Sequence, residues 1–485
     1  MTRTLYILVV CLFFNVSVNA KPWVSTDNIQ LRADIEKLSR EGIIKSPITT
    51  WPLMWSSIIE DLEDADRSTI SQGMLPVYLR VFREARYETN HRAKSSLGIR
   101  AANQAEIIRN YGDERREEAE ATLSVSAMSD NIAWGLEYSQ VLDPLDGEEV
   151  RLDGSYLATV WGNWVISVGA QERWWGPGWD SSLILSNNAR PVPSIVLQRN
   201  HSDSFETPWL SWIGPWTMTA FAGQLESDRY VKHAKLLGLS ISFRPFNSLE
   251  IGLRRTAQWG GEGRPETASS FFDMLIGLDN CDEGDLSCED YSNEPGNQLA
   301  GIDFKYHLPF DSLNSSLYGQ LIGEDEAGYA PSRKVYQLGM DTDLYFDDFS
   351  TTLFLEYADT ENEFRPDLTY NNHIYQTGYR TEGVNVASTY DNDTQSLTLG
   401  SITHFRNGHS LNISLSKVDM NSDGGDGDHS ISTEAVDFTR VKIKYRVPSK
   451  YGQFDFELKG NSELIDTFGY QKDRYTVGIS WTMAL

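Results

Sequence analysis

Cysteine is scarce in this chain, and the three present bound little of the fold. Cys11 lies in an apolar N-terminal run. Cys281 and Cys288 stand six residues apart in an acidic loop with Asp279, Asp282, Glu283, Asp285, Glu289 and Asp290. In an oxidising compartment this pair is expected to form one structural disulfide, worth roughly 2–3 kcal/mol through loop closure. Two cysteines with no neighbouring histidine do not make a zinc set, so no metal is expected. Positive charge is in deficit as well: 42 basic against 69 acidic residues give a net charge of −27, which excludes nucleic acid as a partner. Beyond the N-terminus no run of about 18 apolar residues occurs, which excludes a transmembrane helix but not a β-barrel.

The first residues read as a secretory signal peptide over 1–20. Arg3 precedes the apolar run Leu5–Phe14, and Val18-Asn19-Ala20 offers a small-residue cleavage site. Val10 ahead of Cys11 is too large for a lipoprotein site. The mature chain is expected to begin near Lys21.

Two periodicities follow. Over 21–94 the apolar residues recur at helical spacing: Leu31, Ile35 and Leu38 behind a candidate N-cap at Asp27, with Gly42 as a stop. A second helix from Pro52 carries Leu53, Trp55, Ile59 and Leu62, and a third from Pro76 carries Leu79, Phe82 and Ala85. Over 95–485 the period is two. Tyr475, Val477, Ile479, Trp481, Met483 and Leu485 alternate with small or polar residues, at the length of about 9–11 residues that crosses a bilayer at a tilt. The chain ends on Leu485, where such strands usually end on an aromatic residue.

Arg440, Lys442, Lys444 and Arg446 share one strand face and Val441, Ile443, Tyr445 and Val447 the other. A lysine facing lipid costs about 2–4 kcal/mol, so the cations must face the lumen. Pairing with Gln453–Lys459 sets at least two of them opposite Asp455 and Glu457, which predicts a salt-bridge ladder rather than the alternative, a basic track reserved for an acidic polymer.

Short connections at Gly214-Pro215, Pro245–Asn247, Pro309–Asp311, Asp347-Asp348, Asn407-Gly408 and Ser449-Lys450 alternate with long polar ones. The fold class that follows is mainly β: a transmembrane antiparallel β-barrel of about eighteen strands with a small N-terminal periplasmic α-helical bundle. Twelve strands are expected from Trp216 onward and about six before it. Short turns and the C-terminus should face the periplasm.

The densest segment is Arg173–Pro193. Trp174, Trp175 and Trp179 could stack on sugar rings, and Arg173, Asn187, Asn188, Arg190 and, further on, Arg199 could supply polar contacts. The strand count sets this segment after a downward strand, at the periplasmic end where connections should be short. That favours a segment folded into the lumen or against the helices, closing the barrel.

Several blocks in order then point to one family. Arg173-Trp174-Trp175-Gly176-Pro177-Gly178-Trp179, Leu185-Ser186-Asn187-Asn188-Ala189-Arg190-Pro191, Pro208-Trp209-Leu210 through Gly214-Pro215-Trp216, Gln258-Trp259-Gly260-Gly261 with Gly263-Arg264-Pro265, and Glu294 through Gly301 carry the likeness. Over its mature length the chain resembles the capsule assembly Wzi family of Gram-negative bacteria. The resemblance implies an outer-membrane, lectin-like barrel that helps hold capsular polysaccharide at the surface. Its expected partners are capsular or other surface polysaccharide and outer-membrane lipid, with no nucleic acid and no cofactor. The protein is expected to act as a monomer and not as an enzyme.

Rival readings rest on less. A hydrolase or deacylase could use His201-Ser202 with Asp203 and Glu206, but adjacent side chains on a strand point to opposite faces. Glu172, Asp180 and Glu226 could include a glycosidase pair if two of them met. A porin or polysaccharide export channel is allowed by barrel size. Asp419, Asn421, Asp423 and Gly424 imitate a calcium loop, but Ser430 stands where a glutamate is needed and no helices flank it, so a solvated loop tip is expected.

Overall fold

The computed structural model describes residues 21–485 except 91, 115, 276–295, 310–313, 325, 328–329, 332–333, 363–365, 426–428 and 468–470. The signal peptide and the Cys281–Cys288 pair therefore lie outside the described residues.

Three helices come first. α1 (Ile29–Arg40) begins where the Asn28 side chain accepts from the Leu31 amide at 3.1 Å, so its cap is Asn28 and not the expected Asp27. It stops ahead of Gly42, whose φ of +71° suits glycine. α2 (Trp55–Asp64) and α3 (Leu75–Thr89) follow, α3 with Pro76 in its first turn, where the missing N–H costs nothing. Ile35, Leu38, Ile58, Leu62, Val77, Val81 and Ala85 are buried together between them. α1 carries a second, polar stripe at four-residue spacing, Arg32, Glu36 and Arg40, which a helix sets on one face.

The remaining chain forms eighteen barrel strands: β1 (Lys94–Ala102), β2 (Ala119–Met128), β3 (Ile132–Leu142), β4 (Tyr156–Trp161), β5 (Trp164–Gly169), β6 (Ser194–Arg199), β7 (Trp216–Gln224), β8 (Lys235–Phe246), β9 (Leu249–Trp259), β10 (Gly296–His307), β11 (Ser315–Glu324), β12 (Lys334–Tyr345), β13 (Phe349–Asp359), β14 (Thr394–Phe405), β15 (Ser410–Met420), β16 (Val436–Ser449), β17 (Gly452–Asn461) and β18 (Tyr475–Ala484). Val150–Arg151 pairs with β3 beside β4 and prolongs it. Each strand runs antiparallel to the next, and β18 pairs with β1 to close the barrel. Six strands precede Trp216 and twelve begin there, in agreement with the sequence count.

The two faces separate as the alternation requires. Tyr475, Val477, Ile479, Phe456 and Leu458 are exposed outward, while Arg254, Asp303, Lys305, Gln320, Gln337, Asp341 and Glu356 are buried on the inside. Short turns and the C-terminus share one rim, here the C-terminal rim, together with the 200–215 connection, where the sequence suggested only a short turn at Gly214-Pro215; the other long connections share the opposite rim. Trp161, Trp209, Trp212, Phe346 and Tyr451 stand exposed around the C-terminal rim, as aromatic girdles do at a lipid–water boundary.

One expectation is corrected. β5 runs away from the C-terminal rim, so the 170–193 connection leaves from the long-loop rim and not from the end expected to be periplasmic. β4, β5 and β6 have only six residues each. Such short strands carry few alternations, and setting the segment on the wrong side of one of them inverts the end from which it departs even where the total is right. The segment then turns back into the lumen, so its inward course agrees with the expectation even though its origin does not.

Candidate functional site

The lumen is filled by three pieces of chain. The first is the 170–193 connection, whose Trp174-Trp175 pairs antiparallel with Thr50-Trp51 of the helical domain. Trp174, Trp175 and Trp179 are fully buried. Trp174 meets Tyr111 edge-on at 5.3 Å, Tyr111 meets Trp51 at 5.5 Å, and Trp175 meets Phe221 at 5.5 Å. Trp179 stacks on Phe354 with centroids 6.0 Å apart. Gly178 is required at the corner because a β-carbon there would overlap the Ser181 carbonyl and the Gln337 amide.

Inner-wall side chains hold this segment by its backbone. Glu356 accepts from the amides of Trp179 (2.7 Å), Asp180 (3.1 Å) and Ser181 (3.0 Å) and from the Tyr318 hydroxyl (2.9 Å). Gln320 accepts from the Leu183 amide and donates to the Trp175 carbonyl, both at 2.8 Å. Irregular backbone inside a barrel needs such partners, since each amide left bare costs about 1–3 kcal/mol.

The second piece is α1. The Arg32 guanidinium lies between Tyr111 (4.4 Å) and Trp179 (4.2 Å) and donates to the Pro177 carbonyl at 2.7 Å. Glu36 meets Lys305, Lys305 meets Asp341 at 2.8 Å, and Asp341 meets Arg40. The polar stripe of α1 thus docks onto the charged inner wall. On its other side Asp34 receives both arms of Arg80 at 2.7 Å. Burial alone would raise the Asp34 carboxyl, but His404 and Arg80 bring it below its usual value. Burial holds the Lys37 ammonium down to about 8.

The third piece is the 103–118 connection, which brings carboxylates to the cationic row of β16. Arg440 pairs with Glu106 (2.7 Å), Lys442 with Asp113 (2.5 Å), and Arg446 with Asp455 (2.8 Å) and Glu114 (3.2 Å). In register, Arg446 faces Asp455 and Lys444 faces Glu457. The ladder expected from sequence exists, but three of its five acids come from a loop that strand alternation did not point to. The cations are therefore engaged within the protein and do not line a free track.

The eight candidate binding residues are not brought together. Arg173 lies over Phe221 at 4.4 Å and donates to Ser194. The Asn187 carbonyl takes Arg116, and the Asn188 side chain donates to the Asn385 carbonyl at 3.2 Å. Arg190 holds Asp153 with both arms (2.8 and 3.0 Å) and Asp146 at 2.9 Å, at the long-loop rim. Arg199 stacks on Trp216 at 3.9 Å at the C-terminal rim. The three tryptophans have their faces covered by protein, which removes them as a ready stacking platform.

The rival sets are dispersed too. His201 contacts Glu60 at 2.7 Å while Ser202 donates to Ser46, so the two do not meet. Glu172 binds Arg116, Asp180 takes the Tyr390 hydroxyl, and Glu226 takes Arg229. Asp423 accepts from the Gly425 amide within its own turn.

A polar cavity of about 470 Å³ remains between the plug and the inner wall of β1–β3 and β16–β18. At its long-loop end Arg190, Asp153, Asp146, Arg151 and Glu117, from three connections, form a chain of ion pairs at 2.6–3.0 Å.

A closed barrel, apolar outside, charged inside and filled by its own loops, is a β-barrel of the outer-membrane class. The chain belongs to the capsule assembly protein Wzi family, whose family model matches residues 88–474. The solved structure of Wzi from Escherichia coli, an outer-membrane protein involved in group 1 capsule assembly and a carbohydrate-binding β-barrel, superposes with a TM-score of 0.84 at 25% identity, covering 95% of this chain and 98% of that one. An uncharacterized 55.8 kDa protein of the cps region of Klebsiella pneumoniae is 34% identical over 323 residues, 66% of this chain. The match takes in 61% of that relative, so the chain spans less than two thirds of the curated relative it matches.

Proposed function

We propose that this protein binds capsular or other surface polysaccharide without covalent chemistry and helps attach or assemble it on the cell surface. One observation supports the reading: the 170–193 segment, the 103–118 connection and α1 are all held inside the barrel, so that the chain itself takes up the lumen. A polysaccharide must then be met on the face formed by the long connections. The alternation of short turns and long loops supports an outer position for that face and a periplasmic one for the helical domain. Binding is by many weak contacts multiplied along a repeating polymer, which needs no cofactor and no second copy of the chain.

The test uses the full chain in detergent with polysaccharide from its own strain and from a foreign one. Saturable binding of the first, without release of reducing sugar over hours, is expected. Absence of binding overturns the reading, and time-dependent cleavage replaces it with an enzymatic one.

A further inference from the structure

Among the described residues, two large exposed aromatic side chains lie on connections at the long-loop rim: Tyr230, 64% exposed, and Phe272, 59% exposed. They face different surroundings. Phe272 belongs to α4 (Ala268–Leu275), whose last carbonyls, Met274 and Leu275, accept from Arg255 at 2.8 and 2.7 Å. Arg255 shares the outward face of β9 with exposed Leu253, so α4 lies on the lipid side of the wall. Tyr230 sits at the tip of the 225–234 connection, beyond the last pairing of β7 with β8.

This tip is held by its neighbours. Arg229 is buried and donates to the carbonyls of Arg380 (3.0 Å) and Gly378 (3.3 Å), and the Tyr230 amide donates to the Thr377 hydroxyl at 2.9 Å. The Glu262 amide donates to the Lys232 carbonyl at 2.8 Å, which ties the connection after β9 to that of Tyr230. The Tyr375 hydroxyl donates to the Gly260 carbonyl at 3.1 Å. Gly378 has φ +73°, and a β-carbon on it would overlap Arg380 and the Tyr370 carbonyl, so the ledge has one backbone path. Three connections, 225–234, 260–267 and 371–383, are thereby locked into one ledge. Tyr230, Lys232, His233 and Gln376 of these connections are exposed.

We infer that Tyr230 is a stacking platform for a pyranose unit of the surface polysaccharide, with Gln376, next in sequence to the Thr377 that holds the Tyr230 amide, to meet a ring hydroxyl and Lys232 to meet an acidic substituent. Tyrosine suits the role: its ring is flat, amphipathic and fixed by two torsions, so ordering it costs little. Exposed aromatics at the C-terminal rim, such as Trp209, match a lipid boundary instead. The inference rests on the polysaccharide-binding reading and adds to it the place of contact.

The test is calorimetric titration of the detergent-solubilised full chain with size-fractionated oligosaccharide from the capsule of its own strain. Tyr230→Ala should weaken binding about three- to tenfold, as loss of one stacking contact does. Tyr230→Trp should retain it, Trp209→Ala should leave it unchanged, and all three should unfold at the wild-type temperature. Wild-type binding that Tyr230→Ala leaves within twofold overturns the ledge alone. No wild-type binding overturns the polysaccharide reading and the ledge with it.

Discussion

Replacing Glu356 with alanine should unseat the turn at Trp179–Ser181 and let ions through the barrel. The carboxylate accepts three backbone amides at 2.7–3.1 Å. Hydrogen bonds to a charged group contribute about 1.5–3 kcal/mol each. Water can enter the lumen, so the low end applies, and three amides lose roughly 4–5 kcal/mol of plug docking. The barrel itself should hold, because β13 keeps its ladders to β12 and β14 through backbone groups. Planar-bilayer recording is the assay. The wild type should stay closed, Glu356→Ala should show steady conductance, and Glu356→Gln, with one acceptor oxygen left, should fall between. A folded Glu356→Ala barrel as closed as the wild type, with 170–193 equally resistant to protease, would refute the reasoning.

Three further outcomes follow from the same packing. Trp174→Ala removes a fully buried ring that packs edge-on against Tyr111 and should cost about 3–5 kcal/mol, raising ion leakage at least as much as it weakens polysaccharide attachment. Arg190→Asp should loosen the ion-pair chain above the polar cavity, seen as faster proteolysis of the 143–155 connection, and adding Asp153→Arg should restore protection. Lys37 has its ammonium held down to about 8 by burial, below the usual value near 10.4, so the unfolded chain binds that proton more tightly. Native stability should therefore rise as pH climbs from about 8 to 10, and Lys37→Met should gain about 2–3 kcal/mol at pH 7 and flatten that rise, measured by denaturant unfolding at several pH values. Asp34 keeps Arg80 in that variant.

Much of the fold was legible because its signals are local. The alternation in Tyr475–Leu485 reports a strand with one lipid face, and the row Arg440, Lys442, Lys444, Arg446 can face only inward. The apolar stripe of α1 was legible as well. Its polar stripe, Arg32, Glu36 and Arg40, is a signal of equal strength: a helix polar on a buried face needs a charged partner surface, and the inner wall supplies it. Asp27 and Asn28 are both good caps, and the choice between them depends on where the chain enters α1. Tyr230 left no pattern, since one tyrosine in a polar loop looks like any other until its neighbours are placed.

The sequence by itself determined the strand number, the helical N-terminal domain and the sign of the inner wall, because period, turn spacing and charge act between residues close along the chain. Only the tertiary structure decided that the tryptophan segment fills the lumen from the long-loop rim, that Glu106, Asp113 and Glu114 answer the β16 cations, and that Tyr230 stands clear of the barrel. Those outcomes depend on contacts between residues far apart in sequence, where closing the barrel sets distances that no local pattern encodes.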